Sequence, residues 1–85
     1  MMNGLDKTPA KGITNMKQLR EQAGLRTIDV AYHLDIAEST VRNWEYGRTM
    51  PRLRADQFAQ LCGLYNCSIN ELANASKESL DEAMA

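Results

Sequence analysis

The sequence predicts an all-α chain of five helices, and three observations carry that prediction. Apolar residues recur at spacings of three and four through successive stretches, the pattern of a helix with one buried face. Residues that close helices, Gly24, Asp35, Gly47 and Asn66, stand between those stretches. No segment alternates apolar and polar residues with period two, as a half-buried strand would.

The elements follow in order. Residues 1–13 read as a flexible N-terminal arm. A first helix is expected over about 15–23, with Ile13, Met16, Leu19 and Ala23 along one side, Thr14 as its cap and Gly24 as its left-handed stop. The second, 27–34, turns Val30, Ala31 and Leu34 inward, and Asp35 takes a turn position that glycine would fill best and Asp tolerates. The third, 38–46, buries Val41 and Trp44 and stops at Gly47. An arginine-rich loop follows, in which Pro51 discourages helix at Met50. A fourth helix, 55–65, would bury Phe58, Leu61, Cys62 and either Leu64 or Tyr65. Ser68-Ile69-Asn70-Glu71 then fits a capping box, the serine oxygen accepting a backbone N–H while Glu71 reaches back. Ile69 and Leu72 begin the fifth stripe. The domain is placed at 14–75, with 76–85 a C-terminal tail or an extension of the fifth helix.

Eighty-five residues make one small domain, which hides only about 60–65% of its extended surface on folding. The composition is that of an ordinary globular chain, 44% hydrophobic and 25% charged. No apolar run approaches a membrane span, and the first dozen residues hold no apolar block, so neither a membrane location nor a secretory leader is expected. The expectation is a cytoplasmic protein. Cys62 and Cys67 fall on apolar helical positions, where a thiol behaves as a small hydrophobe. The single histidine, His33, has no paired Cys or His spacing, so no metal and no cofactor are expected. Nothing sets a nucleophile beside a base, so an enzyme is not expected either.

Charge is distributed unevenly. The net charge of −1 speaks mildly against a polyanionic partner. Yet residues 42–54 hold Arg42, Arg48, Arg52 and Arg54 against Glu45 alone, whereas beyond Ala55 Lys77 faces five acids. A basic cluster of this kind can face phosphates while an acidic end stays away from them.

Residues 27–46 form two short helices joined by a tight corner, the spacing of a helix-turn-helix. The outward side of the second helix carries Ala37, Glu38, Ser39, Arg42 and Asn43. Arg42 can offer two N–H groups to guanine O6 and N7, Asn43 can bridge adenine N6 and N7, and Glu38 can accept from a cytosine amino group. Ala31 must be small because the two helices cross there at close range.

The span from Met16 to about Ala75 resembles the Xre family, the lambda-repressor-like helix-turn-helix regulators of bacteria and phages. The resemblance lies in Leu19-Arg20-x-x-Ala23-Gly24-Leu25, Val30-Ala31-x-x-Leu34-x-Ile36, Ser39-Thr40-Val41-x-x-Trp44-Glu45-x-Gly47-Arg48, Pro51 and Cys67-Ser68-Ile69-Asn70-Glu71-Leu72. It implies a buried ion pair between Arg20 and Glu45, and a recognition helix entering the major groove by its first turns. Base contacts are expected from Glu38, Ser39, Arg42 and Asn43. Backbone contacts are expected from Thr27, Arg26, Tyr46, Arg48, Arg52 and Arg54, helped by the free N–H groups of a helix start.

The chain also departs from the family pattern. Arg26 and Thr27 replace a serine-like cap and a glutamine, so Thr27 itself can serve as the cap. Asp35 replaces a glycine, Ala37 offers the recognition helix no side-chain cap, and the loop after Gly47 is about two residues longer than usual.

The expected function is a sequence-specific transcriptional regulator, a repressor that binds double-stranded DNA as a homodimer. One such domain makes too few base contacts for tight discrimination, so two copies on a palindrome with half-sites about 10 bp apart are expected. Leu72, Ala75, Leu80 and Met84 are the expected subunit contact. Two other readings stand beside it: the antitoxin of a toxin–antitoxin pair, with a protein partner, and a protein-interaction module that keeps the fold without DNA binding.

Overall fold

The computed structural model describes residues 14–84. The arm expected over 1–13, including Ile13 of the first apolar stripe, lies outside the described residues. Five helices run in order: α1 (Met16–Gln22), α2 (Thr27–Leu34), α3 (Glu38–Glu45), α4 (Ala55–Tyr65) and α5 (Ile69–Met84). There is no strand among the described residues.

The helix ends follow the sequence with two corrections. The cap of α1 is Asn15, not Thr14: its Oδ1 accepts the Gln18 N–H at 2.9 Å, and the Gln18 side chain accepts the Asn15 N–H at 3.0 Å. Thr27 is not the cap of α2. Arg26 occupies that position, and its N–H donates to Asp29 Oδ2 at 2.8 Å. Elsewhere the stops stand where expected. Asp35 (φ 57°) and Asn66 (φ 53°) take the left-handed conformation, and so does Gly24.

The core is a single cluster of Met16, Leu19, Val30, Ala31, Leu34, Val41, Trp44, Leu61, Tyr65, Leu72 and Ala75. Trp44 is the largest side chain in it, and Phe58, Cys62 and Leu64 pack half-buried against the cluster. Two glutamines of α4 tie it to α2, Gln57 donating to the Leu34 carbonyl at 3.3 Å and Gln60 to that of His33 at 2.8 Å. These are carbonyls that the end of a helix leaves without partners.

Residues 76–84 are the second half of α5, not a frayed tail. Ser79 is buried, and its Oγ accepts the Met16 N–H, one of the free donors at the start of α1, at 3.1 Å. Asn15 Nδ2 donates to Glu82 Oε1 at 2.9 Å beside it. Gly47 (φ 74°) lies so close to α5 that a Cβ there would collide with the Ser79 carbonyl and come within 2.6 Å of Ala83 Cβ. Glycine is required twice at this point, for its backbone angle and for its missing side chain.

Two of the four expected subunit contacts are corrected. Leu72 and Ala75 cannot form a subunit contact, because both are 1% exposed and belong to the protomer's own core. Leu80 is half-buried, and only Met84, at 84% exposure, stands free of the four.

Candidate nucleic-acid interface

The α2–α3 corner is held from inside. Val30, Ala31 and Leu34 of α2 pack on Val41 and Trp44 of α3, and Ile36 closes the turn. The Ile36 N–H donates to the Ala31 carbonyl at 3.0 Å, a bond that the left-handed Asp35 makes possible. Three residues separate the helices, so their relative angle is set by packing rather than by a loose linker.

A second lock comes from α1. Arg20 reaches Glu45, at the end of α3, with two N–H groups: Nε to Oε2 at 2.6 Å and Nη2 to Oε1 at 3.1 Å. The side chains are only 12% and 5% exposed. The carboxylate holds the guanidinium even further above its ordinary range. Arg20 Nη1 also donates to the Leu25 carbonyl at 2.8 Å, which fastens the turn between α1 and α2.

With its inner side fixed, α3 presents the opposite side outward. Ala37, Ser39, Arg42 and Tyr46 are exposed, and Glu38 and Asn43 are half-buried. Three of the four expected base readers, Glu38, Arg42 and Asn43, are engaged within the chain. Glu38 Oε2 accepts the Thr27 hydroxyl at 2.6 Å and pairs with Arg42 Nη2 at 3.0 Å. An exposed pair of this i,i+4 type contributes only about 0.3–0.5 kcal/mol to a helix. Asn43 Oδ1 accepts from Arg48 Nη1 at 3.1 Å, and the Arg48 guanidinium lies over the Tyr46 ring at 4.9 Å. Bidentate reading of adenine uses that same Oδ1, which must then share its two lone pairs between Arg48 and the base.

The expected backbone contacts divide in the same way. Thr27 has one hydroxyl hydrogen, and it goes to Glu38 rather than outward. Arg26 folds onto Asp29 (2.9 Å), whose carboxyl is pulled down to about 2 by the Arg26 guanidinium and backbone N–H. Arg54 lies against Asp56 at 3.1 Å, which lowers that carboxyl as well. Arg48 and Arg52 stand exposed in the loop before α4.

The Glu38–Arg42 pair was not expected, although an acid four residues ahead of a base on one helix is its signal. The Thr27 partner carries no such signal, since it joins residues eleven apart on two different helices. A separate groove of about 470 Å³ lies among α1, α4 and α5, lined by Leu19, Tyr65, Cys67, Glu71, Glu78 and Asp81 among others. It shares no residue with the α3 face. Burial there pushes the Cys67 thiol up to about 11, in keeping with a packing role.

Two short helices around a left-handed turn, the second locked inside and polar outside, define a helix-turn-helix module. Comparison with protein families agrees: residues 15–75 match the model described as "Helix-turn-helix domain". The chain belongs to that family, which is typical of Xre- and Cro/C1-like DNA-binding proteins and is typically non-enzymatic. Comparison with curated proteins and with solved structures returns no match. No helix among the described residues is long and apolar enough to cross a membrane.

Proposed function

We propose that this protein is a sequence-specific transcriptional regulator, a repressor that inserts α3 into the DNA major groove. The observation that carries the reading is the two-sidedness of α3. Its inner side is clamped by Val41, Trp44 and the Arg20–Glu45 pair, while Ser39 and Arg42 stand exposed on the outer side. A rigid helix with a polar outer face suits base reading, which needs side chains held in register with base edges. Arg48 and Arg52, with Arg54 once it leaves Asp56, are the proposed phosphate contacts. The tertiary structure also brings Tyr46 beside Arg48.

The reading includes a homodimer on a palindrome, because a lone domain of this size makes few base contacts. The exposed end of α5 at Met84, with half-buried Leu80, is the proposed subunit contact. Selection of bound sequences from random duplex DNA tests all of this together. A palindromic consensus, lost with Arg42→Ala, and an affinity that falls steeply with salt are the expected results. A flat selection with Arg42→Ala binding as well as the native chain would overturn it.

The acidic groove among α1, α4 and α5 favours a second reading, an antitoxin that binds a protein partner as well as its operator. A small adjacent gene in the same operon, whose product copurifies with the chain, distinguishes that reading.

A further inference from the structure

We propose that Glu38 and Thr27 are positioning residues that hold Arg42 for guanine and do not themselves touch DNA; the inference rests on the base-reading role proposed for α3. Both act through one atom. Glu38 Oε2 accepts the Thr27 hydroxyl at 2.6 Å and pairs with Arg42 Nη2 at 3.0 Å. Thr27 is the first residue of α2 and Glu38 the first of α3. The contacts therefore run from the start of one helix, across the corner, to the exposed face of the next.

Three physical points make this a positioning device. First, a free arginine samples many rotamers, whereas reading guanine needs the planar guanidinium fork presented at one angle. Glu38 meets Nη2 as an ion pair rather than a hydrogen bond, so it draws the guanidinium to one place while leaving its N–H groups available. Second, a lone carboxylate on a groove-facing helix is repelled by phosphates. Contact with a guanidinium and a hydroxyl offsets that repulsion at the side chain itself. Third, the carboxylate competes with phosphates for Arg42. It draws the guanidinium away from sequence-independent backbone contact and keeps it over the helix face. Thr27 fixes the carboxylate in turn. Among the described residues, its hydroxyl is the one hydrogen-bond donor from outside α3 that reaches Glu38.

The consequence is separable from general DNA affinity. Without Glu38, Arg42 is released to the backbone: base preference falls while binding to unrelated duplex holds or rises. A merely structural Glu38 would lower both together.

The experiment compares the native chain with Glu38→Ala, Glu38→Gln, Thr27→Val, Thr27→Ser and Arg42→Ala. Each is used for selection from random duplexes, then for competition between duplexes differing at single base pairs. Arg42→Ala identifies the guanine read by that residue. Glu38→Ala is expected to reduce preference at the same base pair by about fivefold or more, the lower end of what a bidentate contact supplies. Affinity for unrelated DNA should hold or increase, with a steeper salt dependence. Thr27→Val should act in the same direction but more weakly, Thr27→Ser should restore the native profile, and Glu38→Gln should restore part of it. Thermal melts establish that each variant is folded, and the glutamine variant carries the test if the alanine variant is not.

The inference is overturned if Glu38→Ala changes preference at a different base pair, which would make Glu38 a direct reader. It is overturned equally if preference at the Arg42 position is untouched. A native chain that selects a consensus destroyed by Arg42→Ala, alongside neutral Glu38 variants, removes only this inference. A native chain that selects nothing removes the base-reading function itself.

Discussion

Helix α3 carries two arginine–glutamate contacts of the same chemistry, one at its start and one at its end, and they differ in every consequence. Arg20–Glu45 is two-pronged and nearly enclosed, with 12% and 5% of the side chains exposed; Glu38–Arg42 has a single contact, at 3.0 Å, with 49% and 28% exposure on the arginine and glutamate. The enclosed pair fixes where α3 sits, because separating it strands a charge away from water. The open pair contributes little to the fold and is free to act on whatever approaches. Depth, rather than residue type, decides which pair is structural.

The sharpest way to break that comparison is Glu45→Ala. Leaving Arg20 enclosed without its carboxylate should cost about 3–5 kcal/mol of unfolding free energy in chemical denaturation. Gly47→Ala probes the same inner side through the α5 contact. A positive φ and a collision with the Ser79 carbonyl together should cost about 2–4 kcal/mol.

A smaller effect is expected at Tyr65. Its hydroxyl is buried with no hydrogen-bond partner among the described residues, and burial raises its pKa well above the ordinary tyrosine value. Tyr65→Phe removes an unsatisfied group, so stability should be unchanged or higher by up to about 1 kcal/mol. At the open pair, Glu38→Ala also loses the Thr27 hydrogen bond, so it should cost no more than about 2 kcal/mol even where it changes DNA selection. A loss there comparable to that of Glu45→Ala would erase the distinction between the two pairs.

The slightest effect belongs to the exposed Arg26–Asp29 contact and shows only in acid. Asp29 titrates near 2 in the folded chain against an ordinary value of 3.8. Its contribution is therefore complete above about pH 4 and is lost as pH falls through about 2. Asp29→Asn should flatten the decline of stability between those values, measured by denaturation at stepped pH.

Much of this was legible beforehand, and the legible part is local. The left-handed stops at Gly24, Asp35, Gly47 and Asn66 follow from which residues tolerate that conformation. The inward sides of α2 and α3 follow from a period of 3.6. The exposed Arg42 follows from the same period read outward. The errors have physical causes too. Thr14 and Asn15 are both plausible caps, and the reciprocal bond to Gln18 selects Asn15. Leu72 and Ala75 sit on a stripe that could face a second subunit as well as the core, and periodicity does not identify what covers a stripe.

The sequence by itself determined five helices, where they stop and the side of α3 that faces solvent, because those depend on spacing and backbone preference within a few residues. The tertiary structure alone decided which groups meet across helices: Ser79 on the start of α1, Gly47 against α5 and Thr27 on Glu38. Such contacts join positions far apart in sequence. They exist only after the core has fixed the helix angles, and so no local pattern encodes them.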